Sequence, residues 1–152
     1  MSTQSTPLNT SKQVITNTDL SKVFIGDNRY QDGNFLNNSG YDDLALVAGT
    51  VVGRIAATGK LVPYVHTAND GSQYPVGVLA HDFEIDSSAT KDNVTICDFG
   101  DLAEHMVVFI AGSGTTLDSL ATNAGGRSVK DLMQAQGLKI VPGTHLTGYD
   151  NQ

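Results

Sequence analysis

Between Leu44 and Ile110 the chain is cut into short runs of β-branched and aromatic residues by glycine, proline, asparagine and aspartate. The runs occupy residues 44–47, 50–55, 60–64, 74–80, 93–99 and 106–110. Segments of this length and composition are strands, and five or six of them make a small barrel or two packed sheets. The segment Ala57-Thr58-Gly59-Lys60 places glycine in a tight turn, so runs 50–55 and 60–64 pair as a hairpin. Pro63 and Pro75 cannot donate to a ladder, which puts them at strand ends or sheet edges.

Beyond Gly112-Ser113-Gly114 the period lengthens. Leu117, Leu120, Ala121 and Ala124 stand at helical spacing, and Val129, Leu132, Met133 and Gln136 repeat it. Ser128 with Asp131 resembles a capping box, while Gly125-Gly126 and Gly137 stop the two pieces. Residues 138–141 give a last strand before Pro142. The stretch 1–43 is different, with Val14-Ile15 and Val23-Phe24-Ile25 set like beads between polar residues, which suits either an extended arm that binds something or an ordinary first strand or two of the body. The fold class expected is mainly β with a small α part (α+β). It comprises a small β-barrel or sandwich-like body over 44–152, an extended N-terminal arm over 1–43, and two short C-terminal helices.

A net charge of −7 with only nine Lys and Arg, scattered along the chain, opposes a nucleic-acid partner, because phosphate contacts need concentrated cations. No apolar run approaches the roughly 20 residues of a membrane span, and the first residues lack the apolar core of a signal peptide. The expectation is therefore a protein made in the cytoplasm, with no membrane and no nucleic acid among its partners. Cys97 alternates with Val94, Thr95 and Ile96 and reads as a small buried hydrophobe.

Candidates for chemistry are thin. The glycines at 112 and 114 precede no Gly-Lys-Ser/Thr ending, so they make no phosphate cradle. His66, His81, His105 and His145 share no ligand spacing, and no Gly-x-Ser-x-Gly elbow occurs. His81, Asp82 and Glu84, and Asp98, Asp101, Glu104 and His105, read as solvated turns. The chain is expected to be no enzyme and to hold no cofactor or metal; the catalytic alternative is a small hydrolase using His81, Asp82 or His105.

The order of the apolar pieces carries a resemblance. The hairpin 50–64 with its Thr58-Gly59-Lys60 turn leads to Pro75-Val76-Gly77-Val78-Leu79, then to residues 93–100, and then to Met106-Val107-Val108-Phe109 before a helical part. In this order the chain resembles the head decoration proteins of tailed bacteriophages, the lambda-type head decoration protein D family, over roughly residues 44–141. Its N-terminal region, 1–43, is longer than theirs. The resemblance implies a structural virion protein that sits as a homotrimer at three-fold sites on the outer surface of the expanded capsid. There it would bind the major capsid protein and cement neighbouring capsomers against internal DNA pressure. A β-tulip-like arrangement is the alternative fold.

For that role Val14, Ile15, Val23, Phe24 and Ile25 are the candidate capsid-binding residues of the arm, and Leu44, Leu46, Leu117 and Leu120 the candidate trimer interface. A strand formed by residues 12–16 could add to an exposed capsid sheet edge. The alternative from another class is a virion-displayed carbohydrate-binding or adhesion module, with Tyr30, Tyr41, Tyr64, Tyr74 and Tyr149 as stacking platforms.

Overall fold

The computed structural model describes residues 23–38 and 42–142. Eight strands follow in order: β1 (Phe24–Leu36), β2 (Leu44–Leu46), β3 (Val51–Arg54), β4 (Leu61–Pro63), β5 (Pro75–Leu79), β6 (Phe83–Ile85), β7 (Thr90–Ala103) and β8 (Leu138–Val141). Among the described residues an α-helix, α1 (Val129–Gln136), precedes β8, and a 3-10 turn, Glu104–Met106, follows β7. The sheet runs β1-β4-β3-β5-β7-β8, and an additional β1–β7 pairing closes its first five strands into a barrel. β8 lies parallel to β7 outside that ring, and β2 pairs with β6 as a separate ribbon.

Two apolar layers follow from the two faces of the strands. Phe35, Val52, Leu61, Leu79, Val94 and Ile96 come from all five barrel strands and fill one cluster, joined by Leu46 and Ile85 from the ribbon. The neighbours Val51, Val78 and Cys97 face the other way and, with Leu102 and Tyr64, pack under Val129, Met133, Leu138 and Ile140 of α1 and β8. Strands β3 and β5 are thus buried on both sides along most of their length, which is why apolar residues stand next to each other at Val51-Val52 and Val78-Leu79. The expected hairpin is β3–β4, with Ile55 N–H donating to Lys60 O at 3.0 Å and Gly59 at φ 72°. Pro63 ends β4 and Pro75 begins β5, so neither interrupts a ladder.

Three elements differ from the sequence reading. Residues 24–36, within the stretch placed in the arm, take the other reading offered for it, a first strand of the body: the 13-residue β1, paired along β7 from Phe24↔Leu102 to Leu36↔Thr90. Its polar residues sit on an exposed face, so a strand that reads as solvated string contributes only Phe35 fully to the core. Gly33 lets β1 cross β4, since a β-carbon there would stand 2.8 Å from Leu61 Cδ1. Residues 106–110 are no strand: after the 3-10 turn only Val108 bridges, to Thr50, while Met106, Val107 and Phe109 lie over the outer cluster.

The third difference is the first of the two expected C-terminal helices. Residues 117–124 form turns, and α1 is the one α-helix among the described residues. The carbonyls a helix would use internally serve α1 instead: Leu117 O accepts from Lys130 N and Ser119 O from Val129 N, both at 2.9 Å. Ser119 Oγ takes the Thr116 N–H, and Asn123, Gly125 and Gly126 all have positive φ. Ser128 Oγ accepts the Asp131 N–H at 3.1 Å, so the first three amides of α1 are all satisfied.

Candidate interaction surface

The antiparallel β1 and the parallel β8 bring two ends of the described chain to one place. Val23 O accepts the Ala103 N–H at 2.9 Å on one edge of β7, and Val141 pairs with Ala103 on the other. Two strand spacings of about 4.8 Å separate them, so the chain enters at Val23 and leaves past Val141 on the same rim of the barrel, about 10 Å apart. Gly49 packs there against the Met106 carbonyl and the Val23 side chain, and the adjoining Val47 is 44% exposed. Ile25, also exposed, follows two residues into β1.

Among the expected capsid-binding residues, Val14 and Ile15 lie outside the described residues. Val23 is buried in the outer cluster, Phe24 is half-buried edge-on against Tyr30 at 5.7 Å, and Ile25 is the exposed one. The four leucines expected at the trimer interface do not come together. Leu46 fills the barrel cluster with Leu44 against it, Leu117 leans on the outer cluster, and Leu120 is 61% exposed on its turn.

A second exposed apolar group lies on the β1–β7 ribbon. Arg29 Nε and an Nη donate to the two carboxylate oxygens of buried Asp98 at 3.1 and 3.2 Å, and its guanidinium stands 5.3 Å over the Phe99 ring. Gly137, at the end of α1, closes against the same ring, so Phe99 is braced between strand and helix rather than offered as a free platform. Of the tyrosines, Tyr30 is 47% exposed beside Phe24, while Tyr64 and Tyr74 are hydrogen-bonded. Tyr64 is buried and donates to Gln73 O at 2.8 Å, with its hydroxyl pushed up to about 12 by burial. The Tyr74 hydroxyl donates to Asn123 O at 2.9 Å, and Tyr41 and Tyr149 lie outside the described residues.

Three of the carboxylates weighed for catalysis have partners. Asp82 accepts the Ala48 N–H at 2.8 Å, Asp98 holds Arg29, and Glu104 pairs with Lys130 at 3.1 Å, tying the 3-10 turn to α1. Cys97 is buried, takes the Asn28 amide at 3.4 Å, and has its thiol pKa raised by desolvation. Among the described residues no three His, Cys, Asp or Glu are placed to hold a metal ion. The described residues form a barrel with exposed apolar side chains, Ile25 and Val47, near the rim where the described chain enters and leaves.

The family of bacteriophage lambda head decoration protein D matches residues 28–128. The chain belongs to that family. Membership makes it a capsid-associated structural protein of a phage head. The match covers most of β1 through Ser128, hence nearly all of the barrel and the whole β2–β6 ribbon, and stops before α1 and β8. No curated protein matches the chain significantly.

Proposed function

We propose that this decoration protein binds the outer surface of the mature, expanded capsid as a homotrimer at three-fold sites and cements neighbouring capsomers against the pressure of packed DNA. Family membership over residues 28–128 carries the reading. The placement of Val23 and Val141 beside Ala103 supports it, because residues before 23 and after 142 then start from one rim and can reach one partner surface. Residues 12–16, with the adjacent apolar pair Val14-Ile15, would supply a strand that adds to a capsid sheet edge.

One such arm buries a few apolar side chains, worth only a few kcal/mol at about 25 cal/mol per Å² before the cost of ordering it. Three arms on one trimer act at high effective concentration and multiply that weak contact by orders of magnitude. The protein does no chemistry in this role: it raises the cost of separating subunits. The excess negative charge suits an outward-facing surface that keeps virions dispersed.

Removal of residues 1–20 tests the arm. The truncated protein is expected to stay folded and trimeric by light scattering yet no longer sediment with expanded heads. Wild-type occupancy by the truncated protein refutes the arm, and a monomer both free and on heads refutes the trimer.

A further inference from the structure

The sequence contains two Asp-Gly peptides, Asp32-Gly33 and Asp70-Gly71, in different settings. The first lies inside β1, where Asp32 and Gly33 pair with Thr95 and Val94 of β7 and Thr95 Oγ1 donates to Asp32 Oδ1 at 2.6 Å. The second lies in the excursion between β4 and β5, where Asp70 is exposed and Gly71 has φ +102°. Asp-Gly is the dipeptide in which the amide nitrogen after aspartate is least shielded, because glycine has no β-carbon.

Four hydrogen bonds close on Asp70-Gly71. Ser72 donates twice to Asp70 Oδ1, from its N–H at 3.0 Å and its Oγ at 2.5 Å. The Gly71 N–H donates to Gln73 Oε1 at 2.9 Å, and the Asp70 carbonyl accepts the Ala56 N–H at 2.9 Å. The partners are themselves fixed. Ser72 and Gln73 are buried, the Ser72 carbonyl lies flat on Gly53 of β3, and Tyr64 holds the Gln73 carbonyl.

We propose that Asp70-Gly71 is a latent backbone-isomerisation site that the native turn holds shut. In the reaction the Gly71 nitrogen gives its proton to water and attacks Asp70 Cγ. The carboxyl hydroxyl leaves as water, and a five-membered imide forms. Water then opens the ring at the Cα carbonyl, so the chain runs through the side-chain carbon with no net change in composition. The carboxyl must be neutral to lose its hydroxyl, whereas two donors from Ser72 favour the anion. The amide must be free to turn and shed its proton, whereas Gln73 holds it. An isomerised Asp70 adds a backbone methylene and lifts Ser72 from its seat on Gly53.

The test is ageing of the full-length protein at neutral pH and elevated temperature, in buffer and in urea, with iso-aspartate at both sites measured by peptide mass spectrometry. The native chain is expected to isomerise at Asp70 roughly tenfold or more slowly than the same chain in urea, the rate equivalent of one charge-assisted hydrogen bond. Ser72→Ala is expected to speed the native reaction at Asp70 by roughly tenfold and leave Asp32-Gly33 unchanged. Equal wild-type rates in buffer and urea, or a Ser72→Ala rate equal to wild type, overturn the proposal. Should Ser72→Ala unfold, seen as acceleration at both sites together, Gln73→Leu and the wild-type ratio between buffer and urea decide it in the same way.

Discussion

A β-carbon at Gly137 would stand 2.5 Å from Cδ2 of Phe99, so the residue that ends α1 is also the one on which the exposed Phe99 ring rests. Gly137 has φ +107° and donates its N–H to Met133 O and Gln134 O, as a left-handed helix cap does. The contact couples α1 to β7 at the point where Arg29 covers the ring from the other strand. Gly137→Ala therefore suffers twice, from backbone strain and from overlap with an aromatic ring. It is expected to lower stability by about 2–4 kcal/mol in urea unfolding followed by circular dichroism.

Barrel closure between β1 and β4 rests on the single register pair Phe35↔Leu61, and Phe35 is fully buried and packs edge-on against Phe83 at 5.2 Å. Phe35→Ala is expected to cost about 3–5 kcal/mol. Ile25→Ala, on the exposed part of the same strand, is expected to change stability by less than about 0.5 kcal/mol. Paired urea titrations of the two variants check the contrast.

Ser128 caps α1 through its hydroxyl, and the N–H groups of Val129 and Lys130 go to the carbonyls of the preceding turn. Ser128→Ala is expected to lower stability by about 1 kcal/mol. Thermal unfolding measures it, and Ser128→Asp is expected to restore most of the loss.

Tyr64 gives an alkaline signature. Burial raises its pKa from 10.0 to about 12, so the folded protein holds the phenol proton to higher pH than the unfolded chain does. The corresponding stability is whole below pH 10 and is lost as pH rises through about 12. Two units correspond to roughly 2–3 kcal/mol. Urea midpoints between pH 9 and 12 are expected to fall more steeply for wild type than for Tyr64→Phe, which has no phenol to ionise.

The parts of this fold legible in the sequence are those set by neighbours in the chain. The β3–β4 hairpin is announced by Gly59, the strand ends by Pro63 and Pro75, and α1 by Ser128 and Gly137. The parts not legible depend on distant partners. Nothing within the polar run around Arg29 and Gln31 shows that β7 waits to pair with it, and β6 has only three residues. Leu117 and Leu120 keep helical spacing, but the amides of Val129 and Lys130 claim the carbonyls of that turn. For the interaction surface the difficulty is one of faces. Val23 and Ile25, or Leu46 and Leu120, are alike in hydropathy, and only the packed barrel separates the buried member of each pair from the exposed one.

Electron microscopy of expanded heads assembled with and without the protein is the most direct measurement of its role as a clasp. Knobs of three-fold symmetry are expected on the exterior only where the protein is present, and those heads are expected to withstand heating that ruptures bare ones. Heads of identical outline and identical thermal resistance in the two preparations would contradict it.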